Sequence, residues 1–236
     1  MLILGIEAAA KVAGAALYEN GRIIAEQMVN GALTHSETLM PMIDAVFAAA
    51  GRRPEELDYI ALTSGPGSFT GLRIGAATAK GMALGLQIPI VPLCTLEVLS
   101  YLGQAGKMVC VPIMDARRGQ VYGAAYQGGQ ALLPPQAISP QRLAEELMQL
   151  GQDCLFMGDA ADLYQEQFAA VLGERYHIAP PHLKDLRAAA VAALAADKLE
   201  KGLVKGTSGS ELVIEYLRKP QAEREREARL AAEARQ

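Results

Sequence analysis

The sequence predicts an α/β protein in which one order of elements, β-β-β-α-β-α, occurs twice and makes two subdomains. Three observations carry that reading. A glycine-rich turn, Thr63-Ser64-Gly65-Pro66-Gly67-Ser68-Phe69-Thr70-Gly71-Leu72-Arg73-Ile74-Gly75, joins an apolar β-type run at 58–62 to a Gly- and Ala-rich helix that extends to about Gly85. From Val109 the same succession of strands and helices starts again, with little sequence similarity to the first. The chain has 236 residues and is 51% hydrophobic, enough for one large core or two small ones.

Taken in order, residues 2–6 form a short buried strand and 12–18 a second, with Asn20-Gly21 as a type I′ hairpin signal. Residues 22–29 alternate loosely and make the third. Thr34 and Glu37 form a capping box, and the helix it starts runs to about Ala50, where Gly51 stops it. Leu39, Met40, Ile43, Val46, Phe47 and Ala50 make an apolar stripe; Met42, Ala45 and Ala49 extend the apolar surface beyond one core-facing side. In the helix after the central turn, Gly71, Gly75 and Ala79 fall four apart, as do Gly81 and Gly85. Glycine inside a helix costs up to about 1 kcal/mol. The spacing therefore predicts a second helix packed closely, from the same domain or another subunit, with the 34–50 helix as its natural neighbour. Residues 88–93 form a strand and a helix begins at Thr95. The second half carries strands at 109–114, 120–126 and from 131, a helix at 141–150, a strand at 154–157 and a helix from about Ala160. An Ala-rich helix covers 188–196 and continues to about Lys201. Residues 205–210 read as a Gly/Ser linker, 213–216 as a strand, and 223–235 as a mixed-charge helical tail with Glu225 and Arg229 at i,i+4. The expected units are 1–105, 106–204 and 205–236.

Net charge is −4, so no global basic field draws nucleic acid to the chain alone. Cys94, Cys110 and Cys154 sit in apolar surroundings without a CxxC pair and read as buried free thiols of a reducing compartment. No signal peptide or membrane span is read, and the expected location is cytoplasmic. His35, His177 and His182 are scattered, and no spacing makes a metal site. The central turn approximates two phosphate loops and matches neither. It lacks the Gly-Lys-Ser/Thr of a P-loop, and its Gly65-x-Gly67-x-x-x-Gly71 is one residue longer than a dinucleotide loop. Its glycines either cradle a ligand or let the chain turn sharply and the helix pack closely.

The segment through Gly75 is similar to the signature of the TsaB (YeaZ) family, a subunit of the bacterial machinery that makes the threonylcarbamoyl modification of adenosine in tRNA. Asp115-Ala116-Arg117 and the run from Val213 through Leu217-Arg218-Lys219-Pro220 to Glu223 resemble it too; the likeness is weakest over 134–203. The resemblance implies the actin/Hsp70/sugar-kinase architecture, an actin-like ATPase or ribonuclease H-like fold. In its ATPases the first turn carries Asp, Gly and Ser/Thr that hold metal and phosphate, and here it reads Glu7-Ala8-Ala9. Glu7 either orients a cation or is a carboxylate at a solvated turn. The second phosphate turn is glycine-rich in the ATPases. Here Asp115, Arg117 and Arg118 stand there, to pair locally, bind an anion or meet a partner's carboxylates. Glu7, Asp115, Arg117 and Arg118 are thus remnants of a nucleotide site. Gly158-Asp159-Ala160-Ala161 echoes the family's Gly-Asp-Gly-Ala turn and is expected to start a helix. The H-x-x-x-H metal pair of the catalytic relative TsaD aligns with Thr95 and Leu99, which cannot replace it.

What the resemblance implies is a non-catalytic scaffold without cofactor or metal. It would bind TsaD, which transfers the threonylcarbamoyl group to adenosine 37 of tRNAs reading ANN codons. It would meet the ATPase TsaE and tRNA only through the complex, and pair with itself when alone. The expected pairing surface is His35, Leu39, Met42 and Val46 with Phe69, Thr70, Arg73, Gly75 and Ala79. The alternatives are an ATP-dependent phosphotransferase of the same fold and a metallopeptidase-like hydrolase.

Overall fold

A computed structural model describes residues 1–31 and 34–217. The first sheet has strands β1 (Leu2–Glu7), β2 (Val12–Glu19), β3 (Arg22–Asn30), β4 (Tyr59–Gly65) and β5 (Ile90–Cys94), in the spatial order β3-β2-β1-β4-β5. The second has β6 (Val109–Asp115), β7 (Val121–Gln127), β8 (Gln130–Ile138), β9 (Cys154–Met157) and β10 (Tyr176–Ile178), ordered β10-β9-β6-β7-β8. Each sheet opens with an antiparallel meander of three strands and grows on the other side by parallel pairing: β1 with β4, β4 with β5, β6 with β9 and β9 with β10. The predicted duplication is therefore present strand for strand. Strand β10 is the member the sequence did not announce, because three half-buried residues carry no pattern.

Helices cover the sheets. Helices α1 (His35–Ala50) and α2 (Phe69–Leu86) pack on one face of the first sheet over Leu4, Ile6, Ile60 and Leu62. Helices α3 (Thr95–Tyr101) and α8 (Ala188–Glu200) lie between the sheets in a shared core with Ile3, Val91, Cys110 and Met157. On the far face of the second sheet sit α4 (Pro140–Leu150), α5 (Ala160–Leu163) and α6 (Gln165–Leu172), around Phe156 and Phe168. A single turn, α7 (Pro181–Lys184), precedes α8. The helix expected from Ala160 is two helices, broken at Tyr164.

Helix α8 was expected in the second unit and instead packs on the first sheet. The reason is steric. Its alanines let its backbone approach β1 so closely that a Cβ on Gly5 would run into the Ala188 carbonyl and lie 2.9 Å from Ala192 Cβ. The remaining described residues wrap back over the same sheet. Thr207 bridges to Ile90, Leu212 is buried, and Glu215 N donates to Ser64 O at 2.8 Å. The expected strand at 213–216 is an extended strap without a strand ladder, and the charged tail at 223–235 lies outside the described residues.

Candidate functional site

Glu7 ends β1 and is fully buried, so the reading of a carboxylate at a solvated turn is corrected. Its Oε1 accepts a hydrogen bond from Ala9 N at 2.6 Å. Burial pushes the carboxyl up from 4.5 to about 7, against the opposing pull of hydrogen bonds from Ala9, Thr63 and Ala10. The turn after it is packed against the glycine loop. Ala9 O accepts from Ser68 N at 2.7 Å, and a Cβ on Gly67 would strike the same carbonyl. Ala8 O lies against Gly71, where a Cβ would collide with it. Gly71 N is capped by Ser68 Oγ at 3.3 Å, and Glu215 O covers Gly65. Backbone groups at the start of α2 that face an anion in a phosphate loop are here engaged by the chain itself. Of the two readings of the glycines, close packing is the one the geometry supports.

The second turn faces the first across a crevice of about 600 Å³ lined by Lys11, His35, Ser68, Asp115, Arg117, Tyr122 and Asp159 among others. Asp115 Oδ1 accepts from Arg117 N at 2.8 Å, and the Arg117 guanidinium lies 3.8 Å from its other oxygen. Arg117 and Arg118 have φ of 64° and 56°, a left-handed conformation that is costly for a residue with a side chain. Both are exposed. Asp159 caps no backbone group of α5; its Oδ1 accepts from Asp115 N at 3.1 Å and ties β9's end to β6. Burial raises its carboxyl, while the Asp115 hydrogen bond and Lys11 pull it down.

The expected pairing surface divides into two sets. Leu39, Met42, Val46 and Ala79 are core residues, at most 3% exposed, and Gly75 is buried with Ala8 Cβ at 3.2 Å from where its own Cβ would be. These five face the first sheet and not a partner. The apolar periodicity was read one position off: Met42 points inward and Met40 outward. His35 is half-buried, with Nε2 2.9 Å from Ala10 O. Phe69, Thr70 and Arg73 reach the surface. Arg73 stacks over the Phe69 ring at 3.7 Å, Phe69 meets Tyr216 at 5.1 Å, and Arg73 Nε donates to Tyr216 Oη at 3.3 Å. Sequence reasoning missed this cluster, because Tyr216 lies more than a hundred positions away. It also missed the outer side of α2: Gly81 and Gly85 face open space, and Leu84 between them is 82% exposed.

Thr95 and Leu99 are buried, and no group of three or more His, Cys, Asp or Glu among the described residues is placed to hold a metal. The three cysteines are free, and burial raises Cys110 and Cys154 to about 11, where a thiol is inert at neutral pH. Among the described residues no helix is long and apolar enough to cross a membrane.

The duplicated sheets with a crevice between their turns define the actin-like ATPase and sugar-kinase class of α/β proteins. A ROK hexokinase from Thermus thermophilus superposes with a TM-score of 0.52 at 12% identity, covering 86% of this chain and all of that one. YeaZ from Pseudomonas aeruginosa superposes with a TM-score of 0.76 at 24% identity, covering 91% of this chain and 99% of that one. The family model for TsaD, tRNA N6-adenosine threonylcarbamoyltransferase, matches residues 28–226. The tRNA threonylcarbamoyladenosine biosynthesis protein TsaB of Bacillus subtilis is 34% identical over 94% of this chain and 96% of its own length. The protein of the same name from Escherichia coli is 28% identical over 67% of this chain and 71% of its own. The chain belongs to the TsaD family, in its TsaB branch.

Proposed function

We propose that this chain is the non-catalytic partner-binding subunit of the assembly that forms threonylcarbamoyladenosine in tRNA, and that it docks on TsaD through the outer sides of α1 and α2. The observation that carries the reading is on α2. Gly81 and Gly85 each weaken the helix, by about 1 kcal/mol relative to alanine, and no neighbour within the chain makes use of the gap they leave. Exposed Leu84, and Met40 on α1, flank them with apolar surface. A partner helix seated there would use both the gap and the apolar flank. His35, Phe69, Thr70 and Arg73 form the end of this surface nearest the glycine loop. The closed turns at Glu7 and Gly67 support the non-catalytic part of the reading, because their backbone groups are already engaged. Arg117 and Arg118, held outward in a strained turn, are suited to acidic groups of the assembly rather than to phosphate on this chain.

In this reading the ATPase TsaE and tRNA are met only through the complex, in the cytoplasm, and the free chain pairs with itself through the same surface. The test is a pull-down with TsaD followed by reconstitution of the tRNA modification with and without this chain. Binding, and modification that depends on the chain, are expected. Full modification in its absence would contradict the proposal.

A further inference from the structure

An acid as buried as Glu7 is seldom kept without a full set of partners. Its Oε1 is satisfied by Ala9 N, but its Oε2 has no hydrogen bond among the described residues. Thr63 Oγ1, on the adjacent strand β4, stands beside the carboxyl and is equally without one. Two buried oxygens side by side lack one proton to make a hydrogen bond. The turn they support carries both N-termini of the proposed docking helices. Ala8 O lies against Gly71, Ala9 O accepts from Ser68 N, and Ala10 O meets His35 Nε2. Three successive carbonyls thus anchor α2 twice and α1 once.

We propose that Glu7 is a proton-operated positioning residue. Protonated from solvent on Oε2, it donates to Thr63 Oγ1 and fixes the 8–10 turn, and with it the starts of α1 and α2. Ionised, it places an uncompensated charge in that layer and loosens the turn. The raised carboxyl places the change near neutrality, and its causes contain no charged neighbour: burial dominates, and Ala9, Thr63 and Ala10 supply the rest. The elements packed around it agree. Strand β2 offers Gly14 opposite, and β4 offers Thr63. At the start of α8, Arg187 is engaged by Glu26 of β3. Lys11 on the same turn is exposed, His35 faces the Ala10 carbonyl, and Asp115 and Asp159 lie across the crevice. The consequence for a partner rests on the docking proposal above; the proton latch does not.

The experiment follows the carbon-13 signal of the Glu7 carboxyl, assigned by its loss in Glu7→Gln, together with amide protection factors of Ala9 and Ser68 from pH 5.5 to 8.5. The carboxyl is expected to titrate near neutrality, and protection of both amides to fall at least tenfold with the same midpoint. In Glu7→Gln protection should be flat. In Thr63→Val, which keeps the shape but cannot accept the proton, it should stay at the low level throughout. Association with TsaD should weaken over the same range in the natural chain and not in Glu7→Gln. A carboxyl titrating in the ordinary range, or protection that ignores its titration, overturns the proposal. Absence of TsaD binding at every pH, with titration and protection still moving together, sinks the docking reading and leaves the latch standing.

Discussion

Along α2, Gly71 and Gly75 touch the turn that follows β1, whereas Gly81 and Gly85 have no atom within 4 Å of the place a side chain would occupy. The same residue at the same four-residue spacing answers two different demands. At the first pair the chain itself is the close neighbour, and any Cβ meets Ala8. At the second pair nothing in the chain explains the loss of helix propensity. A small-residue stripe on a helix therefore has to be divided by what each member touches before it is read as an interface.

The inner side should respond in stability. The largest effect is expected at Glu7. Its carboxyl is raised from 4.5 to about 7 in the folded chain, so the stability it contributes is complete below pH 4.5 and is lost as pH rises through about 7. A shift of that size corresponds to about 3 kcal/mol. Glu7→Gln cannot ionise. Relative to the natural chain it should gain stability by up to about 3 kcal/mol between pH 4 and pH 9 in urea titrations. Equal pH dependence in the two proteins would remove Glu7 from the account.

Gly75→Leu comes next. Gly75 packs on Ala8 and Ile6 inside the first half of the molecule, and overpacking there should destabilise the chain by about 1–3 kcal/mol. A melting curve checks it; an unchanged midpoint would place Gly75 on the outer side after all. Tyr216→Ala should be milder, about 1 kcal/mol, from loss of the tilted pair with Phe69 and the hydrogen bond from Arg73. Its signature would be faster proteolysis of the 203–217 strap without change in the sheets. Arg73→Ala should leave stability within about 0.5 kcal/mol, since its side chain is exposed, while weakening association with TsaD. The free chain is also expected to show no ATP turnover; turnover that disappears on changing Asp115 would contradict the closed-turn reading.

How much of this was legible beforehand follows from the range of the interactions. Strands β1, β2, β4 and β6 and helix α1 were readable because apolar period, hairpin and capping signals act within a few residues. The site of α8 was not, because an alanine run specifies a close-packing helix without saying what it approaches. Gly5 and Gly14 hold the answer some 180 positions away. Burial of Glu7 was missed for a similar reason: it is created by α2 and the neighbouring strands folding over a turn that, in isolation, is polar and short. Of the nine expected pairing residues, the buried five failed through phase, since one residue of helix turns a side chain by about 100°. His35, Phe69, Thr70 and Arg73 sit at the helix starts, where motif rather than period located them.

The comparison within α2 is tested most directly at Gly81. Gly81→Leu meets no atom of its own chain and should improve helix propensity, so the fold should be unchanged or more stable by up to about 1 kcal/mol. If the outer side of α2 is the docking surface, the same substitution fills the gap a partner helix needs. Titration calorimetry of the folded variant against TsaD should then show affinity reduced at least tenfold. A folded Gly81→Leu chain that binds TsaD as well as the natural protein would contradict the account.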